Sequence, residues 1–136
     1  MSYNEVLNLY FERSNQMQTF WSFYPPIVLG YLAFFGSLKK RANTNLLTAM
    51  MLFAFVVFAG VNLNALCGVT TERLYLRWHL EHDHFTGIRP LFQKEMLKAA
   101  INPPSFWGVV GLHLFGDLFT IAAVLFLVNR KEAVAS

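Results

Sequence analysis

Polar and apolar positions along the chain separate into three long runs that carry no formal charge. No Asp, Glu, Lys or Arg occurs from Ser14 to Leu38, from Ala42 to Thr71, or from Ala99 to Gly116, and the last run resumes after Asp117 to reach Asn129. A helix needs about 20 predominantly apolar residues to cross the hydrocarbon of a bilayer. Each run is long enough, the third only with Asp117 inside it. The pattern predicts an all-α integral membrane protein with three transmembrane helices, over about residues 17–38, 45–69 and 105–128. Pro25 and Pro26 interrupt the first run. The stretch from Ile27 to Leu38 alone would reach only about 18 Å, so the span must begin ahead of the prolines, near Met17. The missing proline N–H groups leave the Trp21 and Ser22 carbonyls without their usual donors, which predicts a kink there.

Upstream, Val6, Leu9, Tyr10, Met17, Phe20, Trp21 and Tyr24 recur three and four residues apart, with Asn4, Glu5, Asn8, Glu12 and Ser14 largely off that stripe. This predicts an N-terminal amphipathic helical extension over about residues 4–16, capped by Ser2 or Asn4, with Glu5 near the positive end of the helix dipole. No basic n-region or small-residue cleavage site marks a removable signal peptide, so the first span is expected to stay in the mature protein. Between spans two and three lies a connection over residues 70–102. Thr86-Gly87 breaks it, and Pro90 is placed to start an interfacial amphipathic helix. That helix would carry Phe92, Met96, Ala99 and Ala100 on one side and Lys94, Glu95 and Lys98 on the other, ending at Asn102 and Pro103-Pro104. Ahead of the break two alternatives stay open for residues 73–81. Leu74, Leu76, Trp78 and Leu80 alternate as in a strand, and the same segment can prolong span two as a helix.

Composition sharpens this picture. The 136 residues are 55% hydrophobic and only 14% charged, against about 25% charged in soluble domains, so lipid is the expected solvent and partner. The length admits one domain, residues 1–136, and the single cysteine, Cys67, excludes an internal disulfide. A net charge of +3 without a clustered basic surface excludes nucleic acid as an expected partner. Lys39, Lys40 and Arg41 crowd the short connection between spans one and two, and Arg130 and Lys131 stand in the tail, residues 129–136. Such clusters mark the cytoplasmic side. Three crossings of a plasma or inner membrane then leave the N-terminus outside and the C-terminus in the cytoplasm. The 70–102 connection also falls outside, its Lys and Arg offset by Glu72, Glu81, Asp83 and Glu95, with Trp21, Trp78 and Trp107 on or near the same face.

Candidate chemistry sits in two places. In span three His113, Asp117 and Thr120 follow one another four and three residues apart, within about a 60° arc of one helix face. Asp117 falls near mid-span, where a carboxylate must be protonated, paired or hydrated, and His113 is the nearest partner. Measured from the middle of span two, Asn62 lies at nearly the same depth as His113, so Asn62, or Asn64 just beyond it, is placed to hydrogen-bond across the helices. This cluster reads as a packing bond that fixes helix register, as a proton or ion relay, or as a haem or chlorophyll-like site with His113 as axial ligand beside Gly108 and Gly111. The second place is His79, Glu81, His82, Asp83 and His84 in the outer connection. Two imidazoles share a face there on either a strand or a helix, and a Zn, Cu or Fe ion would need all three histidines, an acid or a second subunit. The bland reading of that segment is a solvated polar turn.

Gly30, Ala33 and Ser37 on span one, with Gly108 and Gly111 on span three, are small enough to let helix backbones approach, within one chain or between chains. Four histidines cannot furnish the several histidine boxes of membrane desaturases and hydroxylases, and no nucleophile elbow, Walker loop or dinucleotide fingerprint is present. The leading expectation is a small non-enzymatic integral membrane protein acting as a subunit of a homo-oligomer or a larger membrane complex. The alternatives are a proton- or cation-conducting channel or transporter component built on Asp117 and His113, and a metal-binding membrane protein or metalloenzyme built on His79, His82 and His84.

Overall fold

In the computed structural model, which describes residues 2–38, 44–84 and 91–133, every regular element is helical. Helix α1 covers Tyr3–Ser37, α2 Thr44–His79, α3 Leu91–Ala100 and α4 Phe106–Ala133, and a wider π turn over Leu80–His84 prolongs α2. Among the described residues two helical stretches are long and apolar enough to cross a membrane, Asn45–His82 and Phe106–Asn129, with mean hydropathy of 2.3 and 2.0. The basic connection Lys39–Arg41, the break at Thr86-Gly87 and Pro90 lie outside the described residues, as do the side chains of Asp83, His84, Phe92, Lys94, Arg130 and Lys131.

Helix α1 runs unbroken through Pro25 and Pro26. Proline's fixed φ near −65° is itself helical, so what the pair removes is two N–H donors rather than the helical path. Ser2 and Glu5 close its start reciprocally: the Ser2 N–H donates to Glu5 Oε2 at 2.7 Å and the Glu5 N–H to Ser2 Oγ at 3.4 Å, a capping box that satisfies two end donors. In α4 the cap is Ser105, whose Oγ accepts the Gly108 N–H at 3.1 Å. A Cβ on Gly108 would stand 2.7 Å from that oxygen, so glycine leaves room for the cap.

Buried positions of α2 and its π turn at Phe55, Ala59, Asn62, Leu66, Val69, Arg73, Leu76 and Leu80 alternate four and three residues apart, with Thr48 seven residues ahead of Phe55 and Thr70 buried beside Val69. This period of about 3.5 keeps one seam facing neighbouring helices. It also explains residues 73–81, which are helical: Leu76 and Leu80 stay in the seam while Leu74 and Trp78 turn out of it.

The chain forms two compact units, Met1–Phe20 with Ala65–Val109, and Trp21–Asn64 with Val110–Ser136. The first packs Val6, Tyr10, Leu76, Leu80 and Ile101 into one core. Buried at its side is a cation, Arg73, that meets no carboxylate among the described residues. Its guanidinium lies 4.9 Å from the centre of the Tyr10 ring and donates to Tyr10 Oη and Met17 Sδ, each at 3.0 Å. A ring face, a phenol oxygen and a polarizable thioether together replace the missing anion. At the surface of this unit Arg13 Nε stands 2.6 Å from Glu72 Oε2, and Arg77 bridges Glu81 and Asn102. The second unit holds Tyr24, Phe35, Phe55, His113, Asp117 and Val124 inside.

Replacing Tyr10 by Phe keeps the ring but removes the acceptor of a buried charged donor, and should cost about 1 to 3 kcal/mol in unfolding. Combining Tyr10→Phe with Arg73→Met should cost less than the sum of the single changes in a double-mutant cycle. The Ser2 N–H, and after it the Ser2 hydroxyl, hold the Glu5 carboxyl below its ordinary 4.5. The cap's contribution is therefore present above the ordinary carboxylate range and is lost as pH falls through Glu5's lowered value. In an NMR titration Ser2→Ala should move the Glu5 midpoint up toward 4.5.

Candidate functional site

Helix α4 buries Val109, His113, Asp117, Thr120 and Val124 along one face. One turn separates His113 from Asp117, and Nδ1 of the first lies 2.8 Å from Oδ2 of the second. Helix α1 brings Tyr24, whose hydroxyl donates to Asp117 Oδ1 at 2.7 Å. Helix α2 brings Asn62, whose Nδ2 lies 3.0 Å from His113 Nε2. Three helices of the second unit are thus joined by one run of hydrogen bonds, Tyr24 to Asp117 to His113 to Asn62. Aromatic rings close over it: Tyr24 lies 4.8 Å and Trp21 5.9 Å from the His113 ring, centroid to centroid.

With the Asn62 amide nitrogen turned toward His113, one arrangement of protons completes the set. An amide nitrogen only donates, so His113 Nε2 accepts from Asn62 and the ring proton sits on Nδ1, from which it is donated to Asp117. With Tyr24 donating to the other oxygen, both carboxylate oxygens accept. The set is complete with a neutral imidazole and an ionised carboxylate, a net charge of −1. Turning the Asn62 amide over would present its oxygen to Nε2 and require an imidazolium, so one side-chain amide sets the charge of the network.

Thr120 belongs to the buried face, but its hydroxyl turns back on the Gly116 carbonyl at 2.8 Å. Gly116 has a separate part. A Cβ there would stand 2.9 Å from Tyr24 Oη and 3.2 Å from Cε1, so the phenol reaches Asp117 across a position without a side chain. Beside the network an apolar groove of about 250 Å³ runs between α2 and α4, and Asp117 is the single polar residue among those that line it.

Of the residues singled out from sequence, His113, Asp117 and Asn62 come together, while Asn64 is exposed. Towards the end of α2 and in its π turn His79 Nε2 lies 3.2 Å from Tyr75 Oη, Glu81 pairs with Arg77, and His82 Nδ1 lies 2.9 Å from the Trp78 carbonyl with its ring stacked on the Trp78 indole. Among the described residues no three His, Cys, Asp or Glu side chains gather where a metal ion could be held. Gly30, Ala33 and Ser37 lie on an exposed face of α1, and a Cβ on Gly30 or Gly111 would meet nothing within 4 Å. Tyr24 and Gly116 are the members that sequence reasoning did not assign to the cluster. The signal for Tyr24 was present: a phenol on the apolar stripe of an uncharged run needs a partner for its hydroxyl.

Compared with protein-family models, curated proteins and solved structures, the chain matches none.

Nitrogen-15 spectra of His113 should show Nδ1 protonated and Nε2 bare, the signature of the neutral ring. Gly116→Ala should push Tyr24 off Asp117 and lower stability by about 1 kcal/mol, the worth of one such bond between helices in a membrane. Tyr24→Phe should cost a similar amount, and adding Gly116→Ala to it should cost little more.

Proposed function

We propose that this protein is a small non-enzymatic integral membrane protein with three spans, formed by the later part of α1, by α2 and by α4, its N-terminus outside and its C-terminus cytoplasmic, working as a subunit of a homo-oligomer or a larger membrane complex. The observation that carries this reading is the inverted polarity of the second unit. Five of its polar side chains, Tyr24, Asn62, His113, Asp117 and Thr120, face inward, while Phe53 is 72% and Phe115 69% exposed and Val61, Leu118 and Phe126 are exposed as well. So much outward-facing apolar surface is sustained by lipid or by a partner protein, not by water. The open face at Gly30, Ala33 and Ser37 supports association, because small residues let a further helix approach closely. In this reading the Asp117 network locks three helices in register, since each helix supplies a group that the others cannot leave unpaired in hydrocarbon.

A second reading, conduction of protons or cations through Asp117 and His113, draws support from the groove that has Asp117 on its wall. Asp117→Asn separates the two, because it keeps the shape of the side chain while removing the charge. Under the subunit reading the variant is less stable and its assembly, sized in nanodiscs with co-purifying proteins identified, shifts or falls apart, while reconstituted vesicles show no flux before or after the change. Vesicles that pass protons or cations, with the flux abolished by Asp117→Asn at unchanged assembly size, would establish the second reading instead.

A further inference from the structure

The network leaves one electrical problem unsolved. With a neutral imidazole and an ionised carboxylate its charge is −1, and among the described side chains of the second unit there is no Lys or Arg to balance it. His113 is fully enclosed, whereas the Asp117 side chain keeps 12% of its surface open, and Asp117 lines the groove. Each carboxylate oxygen has a second lone pair beyond the bond it accepts from Tyr24 or His113. Asp117 is thus the one acidic residue on a groove wall otherwise made by Phe55, Val56, Ala59, Gly60, Leu63, Leu114, Leu118 and Ile121.

We propose that this groove binds a small protonated hydrophobic amine, its N–H on the Asp117 carboxylate and its hydrocarbon along the apolar wall. The chemistry of the walls selects the cation. A bare metal ion needs about six oxygen ligands, and the groove offers one carboxylate. A tertiary ammonium needs only one acceptor for its single N–H, and its alkyl groups take the place of solvent on the remaining sides. The volume of about 250 Å³ is just below the range of about 300 to 1,000 Å³ that holds drug-sized ligands, which favours an amine with one short chain. The proposal rests on the membrane reading but not on assembly, and flotation of the protein with phosphatidylcholine vesicles tests that foundation separately.

The test uses the full chain carrying Trp78→Phe and Trp107→Phe, in phosphatidylcholine nanodiscs at neutral pH, so that emission comes from Trp21 beside His113. N,N-dimethyloctylamine should change that emission saturably, and N,N-dimethyloctanamide, of similar shape but with neither charge nor N–H, should not. Asp117→Asn should weaken the response by about tenfold or more, the worth of a hydrogen bond to a charged group. Gly60→Leu gives an independent check, because Gly60 lines the groove, a Cβ there meets nothing within 4 Å, and the residue is outside the hydrogen-bonded network. It should abolish the response while the His113 nitrogen spectrum stays unchanged. Equal responses to amine and amide, a response that survives Gly60→Leu, or no saturable response at all would overturn the proposal. So would loss of the amine response when phosphatidylethanolamine replaces phosphatidylcholine, since a lipid ammonium would then be the occupant, or a groove closed by a second copy whose release follows Gly60→Leu.

Discussion

A carboxylate without water has to be given donors by protein, and the second unit is arranged around that requirement at Asp117. Apolar surroundings offer no hydrogen bonds, so each acceptor position left empty there is expensive. Asp117 obtains one donor from its own helix, one turn away at His113, and one from α1 at Tyr24. His113 then needs a partner for its second nitrogen, and α2 supplies Asn62. The geometry of one acid thus recruits all three long helices. Gly116 makes the closest of these approaches sterically possible.

The first unit meets the opposite difficulty, a buried guanidinium, by different means. Arg73 rests on the Tyr10 ring and donates to an oxygen and a sulfur, so its charge is met by polarizable and quadrupolar groups. Pairing it with a buried carboxylate would have required a second desolvated ion, which is commonly no more favourable than an uncharged substitute. The two units therefore handle lone buried charges of opposite sign, one with directed hydrogen bonds and one with an aromatic face. The acid lies on the wall of a groove that is otherwise apolar.

The architecture follows from this. Helices of 35 and 36 residues, α1 and α2, each contribute to both units. The seam of α2, with its alternating steps of four and three, runs from Phe55 through Leu80 and so serves the acid network in one unit and Arg73 in the other. A polar residue every few turns in such a seam fixes the register of packing, because sliding by one step would bury it against hydrocarbon without its partner.

Much of this was legible in the sequence for a simple reason: avoidance of charge over long runs is a property of composition, and helical periodicity is local. The uncharged runs gave the long helices α2 and α4, the three- and four-residue stripe gave the buried Val6, Tyr10, Met17 and Tyr24 of α1, and matching depths along two antiparallel helices brought Asn62 to His113. What the tertiary structure decided was everything that depends on rotation about a helix axis or on contact between distant segments. Whether residues 73–81 alternate as a strand or continue a helix depended on where Leu76 and Leu80 find partners. Asn62 rather than Asn64 faces inward because of the seam phase, and Tyr24 reaches Asp117 because a glycine 92 residues further along the chain has no side chain in its way. Local pattern specifies which face of a helix is to be buried, but only packing specifies against what, because the pairing energy of two polar groups exists only once both have left water together.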